Sequence, residues 1–256
     1  MDPILIYIIV AALIGSVGSI LLAGAILLIK EKRLALLSER LTSFAGGTLM
    51  GAAFLGMIPR AMHTAPQPQI AGVTIIAGII FFFILEKIVL WRTCHDETCD
   101  RADKASIPII LVGDAFHNFV DGIVIAAAFM TNPAFGVVVT ISVFAHEIPQ
   151  ELADFGILIN HGLSRIKALY YNILSGITTL IGAGLAYWFL DSMKGSIPYV
   201  LSISAASFVY IALADLIPQM HKRTKISESI IQISLMLLGV LVIWLTIHFK
   251  HQFHLH

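Results

Sequence analysis

Apolar residues run along this chain in eight long blocks, separated by short polar or charged connections. The blocks fall near 4–29, 36–59, 70–91, 107–130, 134–160, 168–190, 197–220 and 228–249. Each is long enough for an α-helix, rising about 1.5 Å per residue, to cross a hydrocarbon core of about 30 Å. The pattern therefore predicts eight transmembrane helices. A barrel is disfavoured, because its strands would alternate apolar and polar positions. Glycines inside the blocks, among them Gly15, Gly18, Gly24, Gly46, Gly47, Gly51, Gly56, Gly176, Gly182 and Gly184, suit close helix packing in lipid. The expected fold class is all-α: a polytopic membrane protein forming a single transmembrane domain over 1–256.

Composition sharpens this picture. The 256 residues are 58% hydrophobic and 12% charged, whereas a soluble domain carries about 25% charged residues. A cytosolic globular enzyme is excluded on that ground. The opening Met1-Asp2-Pro3 lacks the basic segment of a secretory leader, so the first block reads as a spanning helix.

Net charge is zero, from 16 basic and 16 acidic residues, but the placement of the basic ones is informative. With the N-terminus outside, thirteen Lys and Arg fall in or beside the inward connections, while only Arg60, Lys194 and Lys250 face outward. By the positive-inside rule both termini are expected outside the cytoplasm. Cys94 and Cys99 then lie in a cytosolic loop, where they are expected as reduced thiols.

An internal echo is visible. The second block ends Phe54-Leu55-Gly56-Met57-Ile58-Pro59-Arg60-Ala61-Met62, and the seventh ends Ala212-Leu213-Ala214-Asp215-Leu216-Ile217-Pro218-Gln219-Met220. Those two blocks cross in opposite directions. Opposed three-helix units around a central pair, an inverted 3+2+3 repeat, are expected from this match.

The chemistry concentrates in the central pair. No Lys or Arg occurs from Ala105 to Ser164, yet blocks four and five contain Asp114, Asp121, Glu147, Glu151 and Asp154. An acid near mid-bilayer costs on the order of 3 kcal/mol on insertion scales, so five without a base call for a visiting cation. Asp114, His117, Asn118 and Asp121 stand at i, i+3, i+4 and i+7, within about 100° of one helical face. His146, Glu147, Gln150, Glu151 and Asp154 fall inside about 140° of another, with Pro149 among them expected to kink the helix. Imidazole nitrogen mixed with carboxylate oxygen suits borderline divalent ions: Zn, Fe(II), Mn, Co or Cd.

The segments His117-Asn118-Phe119-Val120-Asp121-Gly122 and His146-Glu147-Ile148-Pro149-Gln150-Glu151 resemble the fourth- and fifth-helix signatures of the ZIP (Zrt-/Irt-like) divalent metal transporters. The continuation Leu152-Ala153-Asp154-Phe155 is also similar to family sequence. The resemblance covers essentially the whole chain and implies eight helices with both termini outside. It implies ligands His117, Asn118 and Asp121 on the fourth helix and His146, Glu147 and Gln150 on the fifth, together a two-metal centre. Glu151, next in the same acidic stripe, completes the candidate metal set.

Several positions depart from the family pattern. Many relatives have His where this chain has Gln150, a weaker neutral ligand. Gly56 stands where relatives often place a His, leaving Met57 to offer only a thioether. A short Cys94-His95-Asp96-Glu97-Thr98-Cys99 segment replaces the long His-rich loop, and His251, His254 and His256 lie in the tail.

The function expected is carriage of divalent metal, zinc foremost, into the cytoplasm by alternating access. The metal is cargo, with no resident cofactor. An intramembrane zinc hydrolase using His146 and Glu147 is the alternative, since His146-Glu147-x-x-Gln150 mimics H-E-x-x-H. Gln150 and Pro149 count against it. A proton-linked carrier of organic cations leaves the paired His residues and Asn118 unexplained. The expected partners are divalent ions, the lipid bilayer and, as an assembly the chain would allow, a homodimer, with no nucleic acid. A prokaryotic inner membrane is the expected location.

Overall fold

The structure is a computed structural model of the chain in which residues 2–93, 107–221 and 225–249 are described. The Cys94 to Cys99 segment, Lys104, Lys222, Arg223 and the tail His residues lie outside the described residues. The described residues form eight long helices and no strand: α1 (Pro3–Ile26), α2 (31–64), α3 (Pro68–Thr93), α4 (Ile107–Thr131), α5 (Pro133–Asn160), α6 (Arg165–Ser192), α7 (Ile197–His221) and α8 (Ile226–Phe249). This is a polytopic all-α membrane protein. Seven of the eight helices are long and apolar enough to cross a bilayer. The exception is α5, whose 28 residues suffice in length but include His146, Glu147, Gln150, Glu151 and Asp154.

Local chemistry fixes the helix starts. Asp2 caps α1, its Oδ1 accepting from the Ile4 amide at 3.0 Å, with Pro3 at the first helical position. Asn132 caps α5 in the same way through the amides of Ala134 and Phe135, ahead of Pro133.

Among the described residues α1 is π-helical over Ile14–Gly18, α2 over Ala52–Met57 and α7 over Ala212–Leu216, and the last two segments each end immediately before an Ile-Pro pair, Ile58-Pro59 and Ile217-Pro218. Proline has no N–H to close the preceding turn, and its ring crowds the carbonyl four residues back, so the helix widens there. The echo in the sequence is thus an echo in backbone shape. Packing respects the same exchange: α2 lies along α8 as α7 lies along α3, and α4 lies along α6 as α5 lies along α1. This is the inverted 3+2+3 arrangement. α5 runs as one helix through Pro149, packed against α1, α2 and α4.

The closest helix crossings are made by reciprocal glycines. Gly122 of α4 lies against the Thr179 carbonyl of α6, and Gly182 of α6 lies against the Phe119 carbonyl of α4. Gly47 of α2 faces the Met236 carbonyl of α8, while Gly239 faces that of Phe44. In each case a β-carbon would overlap backbone, so only glycine permits the approach. The outward faces carry apolar side chains such as Val73, Ile76 and Ile80 on α3 and Ile233, Leu237 and Leu241 on α8, as lipid contact requires.

Candidate metal centre

The centre is built where α4 crosses α5. One helical turn separates His117 from Asp121 on α4, and His146 is followed directly by Glu147 on α5. The four side chains converge so that one ligand atom from each lies within 4.8 Å of all the others. The two His Nε2 atoms are 3.2 Å apart. His117 Nε2 lies 3.3 Å from Glu147 Oε1 and 3.8 Å from Asp121 Oδ2, and His146 Nε2 lies 3.1 Å from Asp121 Oδ2 and 3.8 Å from Glu147 Oε1.

These separations have a simple meaning. Ligand atoms held about 2.0–2.2 Å from a tetrahedral zinc stand about 3.3 Å from one another. The cluster has that spacing. It also has the right lone pairs: His146 Nδ1 is 2.9 Å from the Ser142 carbonyl, which can only accept, so Nδ1 carries the proton and Nε2 is bare towards the cluster. All four carboxylate oxygens of Asp121 and Glu147 are buried and accept no hydrogen bond. Buried acceptors crowded together without a donor are costly unless a cation joins them. Phe208 of α7 packs against the His146 ring, with centroids 5.7 Å apart, and closes that flank to water.

The other candidates from the sequence have surroundings of their own. Asn118 is fully buried and turned towards α6 and α1: its Oδ1 accepts from Thr179 Oγ1 at 2.9 Å and Ser16 Oγ at 3.2 Å, and its Nδ2 donates to Asp114 Oδ1 at 2.9 Å. Glu151 is fully buried one turn beyond Glu147, with Oε2 accepting from Asn172 Nδ2 at 2.8 Å and Oε1 without a hydrogen bond. Gln150 is half-buried and lines a cavity beside the cluster. Met57, fully buried, belongs to the apolar core on the far side.

That cavity, about 370 Å³, reaches His117 and His146 at its inner end. Its walls come from the second halves of α3, α5 and α7 and the first half of α4, and it extends to exposed Gln219. It therefore leads to the end of the bundle where α3 connects to α4, α5 to α6, and α7 to α8. Four carboxylates line it, Glu86, Asp114, Asp154 and Asp215, and among the described residues no Lys or Arg does. The start of α5, at the other end of the bundle, is tightly packed. Phe135 is 1% exposed, Gly56 lies against its ring, and the Arg60 guanidinium sits 4.0 Å above the ring centroid.

Sequence reasoning missed Glu86, which accepts a hydrogen bond from Tyr210 across α3 and α7, and the polar residues of α6. Glu86 stood in the sequence as a lone acid near a block end. The Ser, Thr and Asn of α6 gave no signal, since such residues are common in membrane helices and satisfy themselves on their own backbone.

The eight-helix bundle and its buried imidazole–carboxylate cluster define an integral membrane protein with a candidate metal centre in its interior. The ZIP zinc transporter family model matches residues 93–246, and the chain belongs to that family. It is 31% identical over 219 residues to "Zinc transporter ZIP13" of Pongo abelii, covering 80% of this chain and 65% of that protein. It is 41% identical over 133 residues to "Zinc transporter foi" of Drosophila melanogaster, covering 52% of this chain and 19% of that protein. With "Zinc transporter ZIP10" of Danio rerio the identity is 34% over 152 residues, 56% of this chain and 18% of that protein. The chain thus spans just under two thirds of the first of these relatives and less than a fifth of the other two. All three are animal proteins, so they lend nothing to the prokaryotic membrane expected from the sequence.

Proposed function

We propose that this protein carries divalent metal cations across the membrane into the cytoplasm, with zinc as the principal cargo and Fe(II), Mn, Co and Cd as ions of fitting chemistry. One observation carries the reading: two imidazoles and two buried carboxylates spaced as the ligands of one tetrahedral ion, deep in a membrane bundle. His117, Asp121, His146 and Glu147 hold the ion. Asn118, Gln150 and Glu151 belong to the same proposal as groups the ion meets beside that position, in a two-metal arrangement.

The asymmetry of the bundle supports direction. The acidic cavity leads from the cluster to the end that the charge distribution assigns to the cytoplasm, with both chain termini on the opposite side. The Phe135–Arg60 contact at the opposite end supports reading this arrangement as an inward-open state in alternating access. Carboxylates along the cavity give a departing cation successive weak partners, which transport requires. Lipid surrounds the exposed apolar faces, and a homodimer is the proposed assembly.

The hydrolase alternative loses ground in the geometry. It needs Glu147 free as a base beside a metal held by positions 146 and 150, whereas a Glu147 carboxylate oxygen lies within ligand spacing of both imidazoles and of Asp121. The deciding experiment is uptake of Zn, Cd, Fe(II) and Mn into proteoliposomes containing the full chain. Saturable zinc uptake that Glu147→Ala abolishes is the expected result; wild-type protein that moves none of these ions overturns the proposal.

A further inference from the structure

Three residues of α6, Asn172, Ser175 and Thr179, stand at i, i+3 and i+7 and so share one face of that helix. All three are buried, at 0%, 4% and 0% exposure. Each donates to a different polar residue of the central helix pair. Asn172 Nδ2 donates to Glu151 Oε2 at 2.8 Å, Ser175 Oγ donates to Asp114 Oδ2, and Thr179 Oγ1 donates to Asn118 Oδ1 at 2.9 Å. Asp114 and Asn118 are themselves joined, and Ser16, from the π-helical segment of α1, adds a second donor to Asn118. The residues so held form a second row behind the cluster of four.

We infer that the α6 stripe Asn172/Ser175/Thr179 positions this second row, Glu151, Asp114 and Asn118, for the cation on its way between the cluster and the cavity. The inference rests on the transport reading given above. Two features separate it from ordinary interhelical hydrogen bonding. The row is not closed on itself: Glu151 Oε1 and Asn172 Oδ1 are buried acceptors with no hydrogen-bond partner, so each leaves a lone pair open in the interior. Asp114, the middle member, also lines the cavity that ends at His117 and His146, so the row borders the ion's route. Reach is set by the reciprocal approach of Gly122 and Gly182, which brings α4 and α6 close enough for short serine and threonine side chains to span the gap.

The three residues act through others, as positioning residues, and the effect expected is on affinity. A donor lost from Asp114 or Asn118 lets that side chain turn away from the ion while leaving the four-residue cluster intact. In zinc uptake by proteoliposomes, Ser175→Ala and Thr179→Val should each raise KM about threefold to tenfold, the range for one lost hydrogen bond. The maximal rate per folded protein should stay within about twofold. Ser175→Thr, which keeps the hydroxyl, should restore the wild-type KM. Thr178 supplies the contrast, because its hydroxyl donates to backbone carbonyls, that of Ala115 across the same helix contact and that of Ser175 on its own helix, each at 2.6 Å, rather than to a side chain of the row. Thr178→Val should leave KM unchanged.

Unchanged KM in Ser175→Ala and Thr179→Val, or an equal effect in Thr178→Val, would overturn the positioning role while wild-type uptake upholds the transport reading. Wild-type protein without uptake removes that reading and the stripe's role with it. Variants that fail to fold are recognised by size-exclusion profile, and Ser175→Thr against Ser175→Cys then makes the same comparison at near-native volume. Equal KM in that pair would again overturn the role.

Discussion

His117 and His146 face each other across the α4–α5 contact with their Nε2 atoms 3.2 Å apart. The His146 ring is fixed in this pose by its Nδ1 proton on the Ser142 carbonyl, and Ser142 in turn donates through Oγ to the Thr48 carbonyl of α2 at 3.2 Å. A bare nitrogen is thereby aimed at the other imidazole and at Asp121. Removing either partner should empty the site of function without emptying the core, since these side chains ligate more than they pack.

His117→Ala and Glu147→Ala are each expected to abolish divalent metal uptake while leaving a folded, membrane-inserted protein. Uptake assayed beside a thermal melt in detergent checks both halves of this expectation. Normal uptake in either variant would remove these residues from the centre.

Gln150 lies one turn from His146 and borders the cavity next to the cluster. Gln150→His supplies an imidazole in place of a neutral amide, so zinc should bind more tightly and be preferred more strongly over Mn and Fe(II). Tighter holding slows release, and the maximal rate should fall. Competition uptake measures both effects; unaltered affinity and selectivity would show that position 150 does not reach the ion.

The acidic cavity leads to one end only, so accessibility should be one-sided. A single cysteine at Gln219, where the cavity meets the surface, is expected to react with a membrane-impermeant reagent from the cytoplasmic side alone. One at Thr64, at the opposite end of α2, should react from outside. The reversed pattern would invert the orientation.

Two glycines of α6 separate backbone approach from mere smallness. A β-carbon at Gly182 would overlap the Phe119 carbonyl, whereas one at Gly184 would meet nothing within 4 Å. Gly182→Ala should therefore destabilise by about 1–3 kcal/mol or more, as overpacking does. Gly184→Ala should be neutral or slightly stabilising through helix propensity. Melting temperatures of the two variants in the same detergent decide it, and equal values would contradict the α4–α6 crossing.

Much of this protein was legible in its sequence because a bilayer leaves few choices. Apolar length alone dictates helices, and the observed boundaries differ from the expected blocks by a few residues, most at the two ends of α2, which spans 31–64 where the block spans 36–59. The echo around Pro59 and Pro218 pointed to opposed three-helix units, and both copies carry a π-helical segment just before the Ile-Pro pair. His117, Asp121, His146 and Glu147 stood out as unpaired polar groups at helical spacing.

What the sequence could not show was which groups on one helical face share a neighbour. Asp114 and Asn118 stand on the same stripe as His117 and Asp121, yet they turn to α6 while the others turn to α5. That division depends on how closely α4 crosses α6, and the crossing depends on glycines some 60 positions apart, Gly122 and Gly182. Periodicity within a helix gives each side chain a direction about its own axis. Only the packing of helices distant in sequence decides which donor, carboxylate or cavity lies in that direction, because the short reach of hydrogen bonds and metal bonds makes an ångström of helix approach the difference between contact and none.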